Sequence, residues 1–203
     1  MNHKNVILLT GGIGAGKSTT ADNVLKRLTA ENIINAGDIF GYTTERILDP
    51  AGGLEGFDVV TYGGQRCPLA SVSRKTADKY MSLFVNKNAF AHTLRLEFER
   101  AKKCANPILH IDEIGLMEKI SPPYIKMLTY LMKNFKVPII AVIKYIEKDD
   151  FLDEIKSLDN AGLYMVTKRN RTKIEAEVFE EFTVIIKKTN QKTQILKKKR
   201  DAI

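Results

Sequence analysis

The stretch Gly11-Gly12-Ile13-Gly14-Ala15-Gly16-Lys17-Ser18 sets its glycines, lysine and hydroxyl in the order G-x-x-x-x-G-K-[ST]. That order suits the binding of a nucleoside triphosphate through its phosphates. Glycines let successive backbone N–H groups turn toward one anion. Lys17 brings a point charge to the β- and γ-phosphates, and the Ser18 hydroxyl is a ligand for Mg²⁺. Thr19 adds a hydroxyl for the α-phosphate. Further along, Ile108-Leu109-His110-Ile111-Asp112-Glu113 is an apolar run that ends in two acids. An acid at such a strand end helps to hold Mg²⁺, which assigns the metal to Ser18 and Asp112. Glu113 projects to the opposite side of the strand or into the loop beyond it, and is the candidate to orient or deprotonate an attacking water. His110, inside the run, is expected to be a core histidine with a satisfied hydrogen bond.

These residues need elements to position them. Residues 5–10 are a short apolar run that ends at the glycines, as a buried parallel strand does. Residues 17–31 follow as a helix with Ala21, Val24, Leu25 and Leu28 on one stripe. A strand, a glycine-rich loop and a helix opening at Lys17 form the context in which the motif acts, because the helix aims its positive end at the anion. Residues 39–48 and 57–62 read as an inserted β-hairpin around the turn-rich stretch DPAGGLEG. Residues 65–87 are irregular and receive no element. Helices are expected over 88–104, 122–133, 150–158 and from 173 onward, with strands over 108–111, 137–143 and 163–167. Apolar strands that alternate with amphipathic helices imply a three-layer α/β domain with a mainly parallel sheet covered on both faces.

The 203-residue chain fits one domain over residues 1–186, followed by a basic extension over 187–203. Apolar residues make up 44% and charged residues 28%, as in an ordinary globular protein. No run of 18 apolar residues suggests a bilayer span, and no secretory signal is read, so the expected location is cytoplasmic. Cys67 and Cys104 have no metal-ligand spacing and are expected to be reduced thiols. The net charge is +8, and the extension holds most of it, with seven basic residues and one acid. That extension is a possible nucleic-acid contact, but a solvated terminus is favoured. Nothing in the sequence speaks to the oligomeric state.

The chain resembles the THEP-type nucleoside-triphosphatases. The stretches that carry the likeness are GGIGAGKST, GYTTERI, GFDVVTYGGQRCPLA, DKY, ILHIDEIGLME, VPIIAVI and VTKRNR. They run from the phosphate loop to about Ile174. The resemblance implies a RecA-like P-loop domain that hydrolyses ATP, GTP and other nucleoside triphosphates with Mg²⁺. It implies phosphate and metal roles for Lys17 and Ser18, the metal role for Asp112 and the water for Glu113. Asn170 and Arg171 fall where the family has Asn-Arg-Asp, which implies a nucleotide contact for Asn170. Arg66 precedes Pro-Leu as the family's arginine does. Both Arg66 and Arg171 are candidates to stabilise charge at the γ-phosphate. The sequence departs from the family pattern at Leu48, Cys67 and Thr172 and in the basic extension.

Two other readings stand beside this one. The opening TGGIGAGKST is similar to that of dephospho-coenzyme A kinases and nucleotide kinases, but no dense arginine lid follows. A nucleotide-regulated nucleic-acid-binding module would use the basic extension, but no RNA motif with interleaved aromatics is present.

Overall fold

The structure is a computed structural model that describes residues 4–200. In chain order, β1 (Val6–Thr10) leads into α1 (Lys17–Ala30). Five strands follow: β2 (Ile39–Leu48), β3 (Leu54–Thr61), β4 (Arg66–Ser71), β5 (Asp78–Tyr80) and β6 (Leu83–Val85). The rest alternates helix and strand as α2 (Lys87–Ala101), β7 (Ile108–Ile114), α3 (Pro122–Asn134), β8 (Ile139–Ile143), α4 (Asp150–Lys156), β9 (Ala161–Met165) and α5 (Arg171–Arg200). The strands form one nine-stranded sheet in the order β5-β6-β4-β3-β2-β7-β8-β1-β9. From β2 to β9 every pairing is parallel, and from β2 out to β5 every pairing is antiparallel.

β1 and β8 are buried at every residue, so their apolar runs show no alternation. Successive side chains still point to opposite faces of the sheet. Ile7, Leu9, Ile140 and Val142 pack with Val24 and Leu28 of α1 and with Phe179 and Phe182 of α5. Leu8, Ala141, Leu109 and Ile111 pack with Leu94 of α2 and with Leu128 and Leu131 of α3. Each fully buried aliphatic or aromatic side chain contributes about 1.5–3 kcal/mol. Two such layers hold the sheet between its helices and bring the ends of β1, β7 and β8 to one edge. In parallel α/β sheets that edge is where ligands bind.

The expected three-layer α/β fold is present. The expected hairpin is β2–β3, but it is only the first pair of an antiparallel flank. Residues 65–87 carry β4, β5 and β6. Two of these strands are three residues long, and Pro68 lies inside the third, so no period-two signal could show. The expected boundary at 186/187 falls inside α5, where Ile185 and Ile186 belong to the core. Residues 201–203 of the extension lie outside the described residues. Among the described residues no helix is long and apolar enough to cross a membrane.

Candidate active site

The chain leaves β1 and turns at Gly11, where φ is 150°. A Cβ at Gly11 would lie 2.1 Å from the Val166 carbonyl oxygen, so only glycine lets the loop pass the connection between β9 and α5. Gly16, with φ of 99°, makes the last turn into α1. The first amides of α1 have no helical partner and face the loop. Lys17 is buried, and its Nζ donates to the carbonyls of Gly11 (3.0 Å) and Gly12 (3.2 Å). Ile13 stands at the tip of the loop in full exposure.

Ser18 Oγ donates to Asp112 Oδ1 across 3.1 Å, which ties α1 to the end of β7. Thr44 of β2 donates to the Asp112 carbonyl (2.8 Å) and fixes the strand from its other side. Burial pushes the Asp112 carboxyl up to about 6. The Ser18 hydrogen bond and the Lys17 charge oppose that rise, and Glu113 and Asp22 add to it. A buried carboxylate and a hydroxyl at this spacing are hard oxygen donors, the kind Mg²⁺ takes. No group of three or more His, Cys, Asp or Glu with metal-holding geometry occurs among the described residues. Mg²⁺ fits that donor set, because it retains waters and takes its remaining ligands from substrate phosphates.

Opposite β8, Asp112 pairs with Val142 and Ile114 with Ile143, so Glu113 is the extra residue of a bulge. Bulges re-aim a side chain next to functional sites. The half-buried Glu113 joins a cavity of about 470 Å³ lined by most of the phosphate loop, Lys144, Tyr145 and Arg171. A larger cavity, about 800 Å³, lies at the opposite edge of the sheet between the start of β1, α3 and the distal half of α5. It contains none of the phosphate-loop groups, so the smaller cavity is the one equipped for chemistry.

Arg171 opens α5 and lies over the phosphate loop, with its Cδ 3.5 Å from the place a Cβ would take at Gly16. It makes no ion pair with another described residue. The structure puts two of the expected residues elsewhere. Arg66, on β4, binds the carboxylates of Glu45 and Asp58 and does not line the cavity. Asn170 is also outside the lining: its Oδ1 accepts from the Thr167 amide (2.7 Å) and its Nδ2 donates to the Met165 carbonyl (2.9 Å). One bond from each end of this carboxamide closes the turn before α5. Lys144 and Tyr145 escaped sequence reading, although they directly follow an apolar parallel strand, the position from which such folds reach ligands. His110 is fully buried, and its Nδ1 meets the Tyr62 hydroxyl at 2.7 Å. Its Nε2 has no partner among the described residues, so the expected satisfaction is only half met. Burial holds this imidazole down to about 4.

The family model described as NTPase matches residues 6–179. The chain belongs to this NTPase family. It is a nucleoside-triphosphate phosphohydrolase. Nucleoside-triphosphatase THEP1 of Aquifex aeolicus (strain VF5) is 28% identical over 180 residues, covering 85% of this chain and 96% of that one. The cancer-related nucleoside-triphosphatase homolog of Mus musculus is 24% identical over 182 residues, covering 85% and 93%. Among solved structures, the crystal structure of THEP1 from Aquifex aeolicus superposes with a TM-score of 0.69 at 27% identity, covering 85% of this chain and 96% of that one. The solution structure of a human cancer-related nucleoside triphosphatase gives 0.68 at 25% identity, covering 88% and 95%. The NTPase match ends within α5, so the distal half of that helix lies beyond it.

Proposed function

We propose that this NTPase hydrolyses ATP, GTP and other nucleoside triphosphates to the diphosphate and phosphate in a Mg²⁺-dependent reaction. The observation that supports this most is the Ser18–Asp112 contact with Glu113 beside it in the phosphate-loop cavity. The loop amides and Lys17 hold the phosphates. Ser18 and Asp112 hold Mg²⁺, which when bound neutralises charge on the β- and γ-oxygens. Glu113 accepts a proton from the attacking water as its oxygen bonds to the γ-phosphorus, and the bond to the β–γ bridging oxygen breaks. Arg171 faces the charge that builds there. Tyr145 is half-exposed at the cavity and offers a ring face that stacks on any base. No guanine-reading Asn-Lys-x-Asp motif is present in the chain.

Phosphate release from a panel of nucleoside triphosphates, with and without Mg²⁺ and without any acceptor, tests this reading. ATP and GTP should turn over within about tenfold of each other, or about 1.4 kcal/mol. Chelation should abolish release. Glu113→Gln should lower kcat by about 10²- to 10⁴-fold and leave affinity for a non-hydrolysable analogue unchanged. A parent-like rate in that variant removes Glu113 from the water's path, and undiminished release under chelation removes the metal.

A further inference from the structure

Glu118 is a buried acid next to the site that the hydrolytic scheme leaves unused. It lies in the 3₁₀ turn Met117–Ile120 after β7 and is 4% exposed. Its Oε2 accepts the Gly115 N–H at 2.8 Å, so the chain doubles back beneath the end of β7 that carries Glu113. The place a Cβ would take at Gly115 has Glu118 Oε2 at 3.1 Å, Lys144 Cδ at 3.4 Å and Glu113 Oε1 at 3.6 Å. Two carboxyl groups and a lysine stem therefore meet around one glycine.

Two phenols also face Glu118. Tyr42 of β2 and Tyr124 of α3 share a hydroxyl hydrogen bond of 2.6 Å. Burial and the nearby Glu118 charge push both phenols up, so both stay neutral. The charges that Glu118 meets are those of Glu113 and Lys144. Burial pushes the Glu118 carboxyl up to about 7, and the Glu113 charge adds to the rise. Its own amide, the Gly115 amide and Lys144 oppose it.

We propose that Glu118 is a positioning residue for Glu113: anchored on the Gly115 amide and countered by Lys144, its carboxylate holds the end of β7 that carries Glu113 and supplies the negative field in which Glu113 takes the proton of water. The proposal rests on the reading of Glu113 as the group that activates water. Glu118 exchanges nothing with substrate. A negative charge beside a base favours protonation of that base. Ionised Glu118 therefore assists the step and neutral Glu118 does not, so kcat climbs with pH through about 7, where Glu118 ionises.

The test is kcat and KM for ATP across the neutral range in the parent, Glu118→Gln, Glu113→Gln and the double variant. Glu118→Gln keeps an oxygen acceptor for the Gly115 amide and removes the charge. It should lose the inflection near neutrality and fall about tenfold in kcat on the alkaline side, with KM held within about twofold. In the Glu113→Gln background the same change should cost nothing further, because Glu118 acts through Glu113. A parent-like pH profile in Glu118→Gln overturns the proposal, as does an equal loss in both backgrounds. If Glu113→Gln itself runs at the parent rate, the reading of Glu113 fails, which is a different result. Should Glu118→Gln not fold, Lys144→Met takes its place. Removing that cation should move the inflection to higher pH, and an unmoved inflection overturns the proposal.

Discussion

Lys17 and Arg171 bring positive charge to the phosphate loop from distant parts of the chain. Lys17 rests on the loop's own carbonyls, so its charge is already at the phosphate surface. Arg171 crosses Gly16 and has no ion-pair partner among the described residues, which leaves its guanidinium available for substrate. Arg66 has the same side chain in a different setting, exposed on β4 with Glu45 and Asp58. The two arginines should therefore separate in single-turnover hydrolysis. Arg171→Ala should lower the rate on the order of 10³-fold, the scale of an arginine that stabilises charge in phosphoryl transfer. Arg66→Ala should stay within about twofold, because an exposed ion pair contributes little. The reverse ranking would put the charge-stabilising group on β4.

The elements decide where these residues point. The β7 bulge turns Glu113 into the cavity while Asp112 stays on Ser18. The turn before α5 does similar work for Arg171. Asn170 closes that turn on Thr167 and Met165, so α5 begins directly over Gly16. Asn170→Ala removes two hydrogen bonds and should cost about 1–2 kcal/mol of stability, read as a lowered Tm. It should also lower kcat, because the start of α5 is no longer fixed. In an Arg171→Ala background that kinetic loss should vanish. If it persists there, Asn170 serves the nucleotide directly and not the turn.

At the scale of the whole molecule, α5 does two jobs along its 30 residues. Residues 171–186 of it bear Arg171 and the core residues Val178, Phe179, Phe182, Ile185 and Ile186. Beyond these the helix is increasingly polar and basic, and it passes the far edge of the sheet. Deleting residues 194–203 should leave kcat and KM within about twofold and Tm nearly unchanged, because surface segments away from core contacts contribute little. Phosphate release and thermal melts of the truncated protein check this. A large loss of activity at unchanged Tm would show that the basic segment reaches the site.

The phosphate loop, the acid pair at the end of an apolar strand and the alternation of buried strands with amphipathic helices were legible in the sequence. Each depends on neighbours close along the chain: glycine spacing, an apolar run, a 3.6-residue stripe. The antiparallel flank was not legible, because three-residue strands carry no period and are made by their partners. The roles open to Arg66, Asn170 and Arg171 could not be separated by residue type either. Two arginines of equal chemistry are distinguished only by what stands opposite them, carboxylates for one and the phosphate loop for the other. Glu118 and Lys144 meet Glu113 because β7 and β8 lie side by side and Gly115 has no side chain to keep them apart. By itself the sequence determined which chemistry this protein carries out. Only the tertiary structure decided which side chains reach it, because reach depends on contacts between residues far apart in the chain.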